Sequence, residues 1–174
     1  MAARVHVPDA VERRAEQVVE RFRLSVPPVA LDDICRAEGL FLCARPFDYV
    51  AGVFIRDEVF PVIMVNSREP RVRRRFTIAH ELGHYYLAHQ RTAFPEPGND
   101  VQLEREANRF AACLLMPESW LRDYWRAYAG NRENRESVVA GIFDVSQAAL
   151  RVRLRELGLC LGTRRYKGIW ERTR

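Results

Sequence analysis

Between Asp9 and Phe22 the apolar positions Val11, Ala15, Val18, Val19 and Phe22 recur at helical spacing, which predicts an amphipathic helix. Pro27-Pro28 breaks the chain, and Leu31 to Ala37 reads as a short helix stopped near Gly39. Leu40 to Ala44, Ala51 to Ile55 and Pro61 to Val65 read as strands, with Arg56-Asp57-Glu58 as the turn between the last two. Helical character resumes at Val72, where Phe76, Ile78 and Ala79 suggest burial on one side. The segment Arg91 to Asp100 carries Pro95, Pro97 and Gly98 and cannot continue that helix, so it reads as the rim of a cleft or as an ordinary surface loop.

A second long helix follows from Leu103, with Ala107, Phe110, Ala111, Leu114 and Leu115 on its apolar arc and Pro117 closing it. Glu118 to Tyr128 predicts a helix loaded with Trp120, Leu121, Tyr124, Trp125 and Tyr128. After Gly130, Glu136 to Gly141 and then Val145 to Leu157 read as helix, turn, helix, with Ser146 as the cap and Gly158 as the stop. Arg151, Arg153 and Arg155 resemble a basic recognition face, while Arg164 to Arg174 reads as a loose basic terminus with Trp170 tucked in. The expected architecture is α+β: a short antiparallel or mixed sheet packed against helices, with a helical C-terminal tail. The boundary is expected between residues 1–128 and 129–174.

Composition narrows the class. A chain of 174 residues, 48% hydrophobic, can bury one good core and is not generally disordered. No stretch reaches the roughly eighteen apolar residues of a membrane span, and Met1 to Val7 lacks a signal-type hydrophobic core, so the expected location is cytoplasmic. Cys35, Cys43, Cys113 and Cys160 show no paired metal spacing and read as reduced and mostly buried. The net charge of +5 is almost wholly arginine, Lys167 being the only lysine; it permits an acidic or nucleic-acid partner without demanding one. Arg71, Arg73, Arg74 and Arg75 form the densest basic cluster and read as a solvated helix face, with Arg75 able to pair with a core carboxylate.

The candidate chemistry lies in His80-Glu81-Leu82-Gly83-His84. Histidines four apart share one helix face, so both imidazoles can reach a single Zn²⁺, and Glu81 is placed to act as general base toward a water at that site. A third protein ligand is then required, with a fourth position left open. Glu104 is the preferred candidate, since a carboxylate at the edge of an apolar arc needs a partner; Glu106 is the alternative. Asn108, one turn past Glu104, is placed to orient a ligand from behind. Tyr85, Tyr86 and His89 follow the motif. The two tyrosines, being adjacent, should not share a face and read as packing residues, and His89 reads as a surface or helix-end histidine.

Arg75-Phe76-Thr77-Ile78-Ala79-His80-Glu81-Leu82-Gly83-His84, followed by Glu104-x-Glu106-Ala107-Asn108-x-Phe110-Ala111-Ala112-x-Leu114-Leu115-Met116-Pro117, resembles the ImmA/IrrE family of metallo-endopeptidases. The resemblance covers about residues 26 to 117. It implies a small zincin-like, gluzincin-type domain holding one Zn²⁺ through His80, His84 and Glu104, with Glu81 as catalytic base. It also implies a protein substrate, a helix-turn-helix transcriptional repressor or an associated antitoxin, and a role in mobile-element control or stress response. The family's Val-Ser-x-x-Ala-x-x-x-Arg-Leu-x-x-Leu-Gly tail corresponds to Val145 to Gly158, which keeps direct DNA contact as a lesser reading beside substrate docking or core completion. A regulatory protein with a structural metal, binding a repressor or DNA, is the rival from another class. A zinc hydrolase of a small molecule is the third.

Overall fold

The computed structural model describes residues 6, 8–89, 99–131 and 133–159. Outside them lie most of the Arg91 to Asp100 segment, Cys160, the basic terminus from Arg164 with Trp170, and most of the Met1 to Val7 stretch. Helix α1 (Ala10–Arg21) starts at Asp9, whose side chain accepts a 2.8 Å hydrogen bond from the Glu12 amide. Helix α2 (Leu31–Ala37) leads through Gly39, at φ +70°, into β1 (Phe41–Arg45). Strands β2 (Gly52–Ile55) and β3 (Val62–Asn66) follow.

The sheet is mixed, in the order β1-β3-β2. β1 pairs with β3 in parallel, Phe41 opposite Val62, and β2 pairs with β3 antiparallel, Gly52 opposite Val65. The β2–β3 connection is shaped by Asp57, whose carboxylate accepts from the amides of Val59 at 2.9 Å and Phe60 at 2.8 Å. Ahead of β2, the buried Asn66 side chain accepts from the Phe47 amide and donates to the Phe47 and Val50 carbonyls at 2.9 and 3.1 Å. It thereby holds the loop that delivers Gly52 to the sheet.

Helix α3 (Arg71–Tyr86) lies between that sheet and α4 (Asn99–Leu115), with α1 packed on α4. Burial on one side was the expectation for α3. Its run from Thr77 to His84 is instead buried throughout, except for the half-buried His80, because the sheet covers one flank and α4 the other. α4 begins four residues before Leu103, so Asn99 and Asp100 belong to the helix and not to the linker. Helices α5 (Glu118–Ala127), α6 (Arg135–Phe143) and α7 (Gln147–Glu156) complete the chain, and the Ser146 hydroxyl caps α7 at the Ala149 amide, 3.1 Å away.

One continuous core joins Ile63 and Val65 of β3, Leu82 of α3, Phe110 and Leu114 of α4, Phe143 of α6 and Leu150 and Leu154 of α7. The domain is thus α+β with C-terminal helices. The arginines of α7 divide. Residues two apart on a helix point about 200° from each other, so Arg151 and Arg155 are exposed while Arg153 is fully buried. Arg153 bonds the buried Glu12 of α1 and donates to the Met116 carbonyl, so it is no part of a recognition face.

Candidate metal centre

Helix geometry sets His80 and His84 on one face of α3, and α4 runs back along α3 to supply the rest. Two small residues make that approach close. A Cβ on Gly83 would lie 3.0 Å from the Ala107 Cα and 3.1 Å from its carbonyl oxygen. Only a glycine facing an alanine lets the two backbones meet at this level. On the other flank, a Cβ on Gly52 would fall 2.3 Å from the Thr77 methyl and 3.7 Å from a Glu81 carboxylate oxygen. The start of β2 is therefore pressed against the turn of α3 that carries Glu81.

Three residues of the motif and its partner helix converge. His80 Nε2 and His84 Nε2 are 3.1 Å apart, and the Glu104 carboxylate faces both, at 3.2 Å from His80 and 3.3 Å from His84. The neighbouring imidazoles, His80 first and then His84, lower the pKa of the Glu104 carboxyl from its ordinary value. Candidate ligand atoms of these three side chains all lie within 4.8 Å of one another. Two imidazole nitrogens and one carboxylate form a donor set suited to a divalent transition metal with a further position open. The His84 side chain is 5% exposed, that of Glu104 37%, so solvent reaches the cluster from the α4 side. Glu81, next in the chain to His80, is buried.

The faces turned away from the cluster are also occupied. His80 Nδ1 is 3.0 Å from Asn108 Oδ1. His84 Nδ1 is 3.0 Å from His89 Nδ1, and His89 Nε2 is 3.2 Å from Glu106 Oε2. Glu106, the alternative third ligand, therefore faces His89, and Glu104 faces the two Nε2 atoms. His89 sits at a helix end as expected, but it is not at the surface: it is 8% exposed, and burial pushes its imidazole below the ordinary value. The sequence offered no direct signal for this, because α3 stops without a glycine. Ala88 takes the left-handed conformation at φ 54°, and the His89 amide bonds back to the His84 carbonyl at 3.1 Å.

Tyr85 and Tyr86 do not approach the cluster. Although adjacent, they converge on one group: their hydroxyls donate to the two oxygens of Glu38, at 3.0 and 3.1 Å, and the carboxylate also pairs with Arg21. Long side chains that diverge by about 100° at the backbone can still meet at a single bidentate acceptor. Burial, then Glu38, pushes the Tyr86 phenol up.

A second acidic and histidine group, His6, Glu12 and Glu118, also falls within ligand distance, but Arg153 and Arg109 already contact Glu12. Those guanidinium groups leave no need for another cation. Arg75 pairs with Asp144 at 3.2 Å and donates to the Val29 carbonyl, while Arg71 reaches the same Asp144. Cys35 and Cys113 are free and buried, their thiols pushed up to about 12 by burial, and Cys43 is free and half-buried.

A His-Glu-x-x-His helix crossed by a glutamate-bearing helix on an α+β scaffold is the plan of a metallopeptidase. Residues 35–155 match the IrrE N-terminal-like domain of peptidase family M78, and the chain belongs to that family. Among curated proteins it is similar to the metallopeptidase ImmA of Bacillus subtilis (strain 168), 22% identical over 130 residues, which span 72% of this chain and 75% of that protein. Membership in a metallopeptidase family implies a metal. No helix among the described residues is long and apolar enough to cross a membrane.

Proposed function

We propose that the chain is a zinc-dependent endopeptidase in which His80, His84 and Glu104 hold one Zn²⁺ and Glu81 is the catalytic base. The observation that carries this is the meeting of the two Nε2 atoms with the Glu104 carboxylate, all within 4.8 Å, on a helix whose next residue after His80 is the buried Glu81. When bound there, zinc supplies Lewis acidity toward a water and the scissile carbonyl. Glu81 accepts the proton of the attacking water and delivers it to the leaving amine nitrogen. Asn108, behind His80, fixes the ring orientation in which Nδ1 carries the proton and Nε2 the free lone pair.

A peptide substrate is favoured over a small molecule by strand β2. Among the described residues its outer edge has no partner strand, and it begins at Gly52 against Glu81. An extended segment can add to such an edge through main-chain hydrogen bonds. The substrate class we propose, a helix-turn-helix repressor or associated antitoxin in the cytoplasm, rests on the family resemblance of the two motifs.

The test is metal content and proteolysis together. Wild type purified without added zinc should carry about one zinc per chain, as a single such site requires, and His80→Ala and Glu104→Ala should lose it. Glu81→Gln should keep the metal while cleavage of a repressor substrate falls by about 10²-fold or more. Cleavage that survives Glu81→Gln would remove Glu81 as base. Metal retained with no cleavage in wild type would instead favour a regulatory protein with a structural metal.

A further inference from the structure

We propose that His89 and Glu106 form a two-link positioning relay that fixes the tautomer and orientation of His84. The inference rests on the metal-site reading above and assigns a function to the two groups that it leaves unused. If His84 presents Nε2 to the metal, its single ring proton sits on Nδ1. That proton is donated to His89 Nδ1, 3.0 Å away, which must then be an acceptor. His89 consequently carries its own proton on Nε2 and donates it to Glu106 Oε2 at 3.2 Å. Every atom has one permitted role, and the chain ends on a carboxylate. The Gln102 amide donates to the other Glu106 oxygen at 2.8 Å and holds that carboxylate in place.

The arrangement is built by the helix ending. His89 follows a left-handed Ala88, its amide bonds the His84 carbonyl, and the two rings meet edge to face with centroids 5.1 Å apart. In the usual form of this ending, apolar side chains make the contact between these two positions. Here two imidazoles do. The two candidate histidine ligands are thus backed differently: His80 by the neutral amide of Asn108, His84 by a carboxylate acting through a second imidazole. Hydrogen bonding of this kind raises ligand basicity and sharpens ring orientation.

The experiment measures zinc affinity by competition with a chromophoric chelator, and the visible spectrum of the Co²⁺-loaded protein, for a set of variants. His89→Leu, which cannot accept from His84, should weaken zinc binding by about 10- to 100-fold. His89→Asn restores an acceptor near the Nδ1 position without reaching Glu106 and should recover part of that loss. Glu106→Ala should weaken binding severalfold in the wild-type background and have no further effect in His89→Leu, because the relay is already cut. Circular dichroism and thermal unfolding of each variant separate this from misfolding. Affinities of both single variants within twofold of wild type, or a Glu106→Ala effect that persists in His89→Leu, would overturn the relay while His80→Ala still reports the metal site. Absence of zinc from wild type would overturn the site reading and the relay with it.

Discussion

Gly83 occupies the middle of the motif for a reason that spacing alone does not reveal. Its missing Cβ leaves room for the backbone of α4 at Ala107, and Glu104 rides on that helix less than one turn away. Gly83→Ala would push α4 outward by a few tenths of an ångström and should cost about 1–3 kcal/mol of stability by overpacking. Because the shift moves Glu104 away from His80 and His84, zinc affinity should fall together with the unfolding midpoint. Equilibrium denaturation and chelator competition check both. An alanine variant as stable and as tight as wild type would show that the helices do not need this approach. Sequence spacing was enough to put His80 and His84 on one face and to mark Asn108 as a support for a ligating histidine or carboxylate. It was not enough to find His89, since its function depends on a helix ending in a left-handed alanine.

That ending is the feature to test among the elements. α3 stops at Leu87, Ala88 adopts φ 54°, and the amides of Ala88 and His89 satisfy the Tyr85 and His84 carbonyls. An L-residue in this conformation costs about 1–2 kcal/mol relative to glycine. Ala88→Gly should therefore raise stability by about 1 kcal/mol, after its own greater chain entropy is offset, and leave the metal affinity unchanged. Thermal unfolding reads the first and chelator competition the second. Element positions along the chain were largely legible: seven helices and three strands among the described residues fall where periodicity put them. One boundary moved: α4 starts at Asn99 instead of Leu103. The sense of the sheet was left open between antiparallel and mixed, because pairing across β3 brings together strands that no local pattern relates.

At the scale of the whole molecule, α1 is tied to α7 by Glu12 and Arg153, both about 1% exposed and 141 residues apart. Burial opposes the charge on Glu12, but the hydrogen bond and charge of Arg153 outweigh it, and the carboxyl is held below 4.5. A carboxyl depressed in the folded state takes up protons on unfolding. Its stabilisation is present above 4.5 and is lost as pH falls through its lower folded value. Arg153→Met should cost about 1–3 kcal/mol at pH 7, because the buried Glu12 carboxylate loses its Arg153 hydrogen bond while keeping Arg109 and His6 as partners. The penalty should shrink as pH drops and Glu12 accepts a proton. Denaturation curves at several pH values decide this, and a penalty that stays constant with pH would mean that packing, not charge, is the origin.

By itself the sequence determined the His-Glu-x-x-His motif, the helix that presents it, the α+β class and most of the apolar stripes. Each of these depends on residues within one or two turns or strand repeats of one another, where backbone geometry alone fixes which side chains share a face. Tertiary structure alone decided which glutamate faces the histidines, that Arg153 turns inward to Glu12, that two adjacent tyrosines share Glu38, and that His89 and Glu106 stand behind His84. Those relations join residues separated by five to 141 positions, and they exist only once the elements that carry them are packed together. Charges and imidazoles that any local pattern would leave in water then become partners, because burial makes an unpaired polar group too costly to keep.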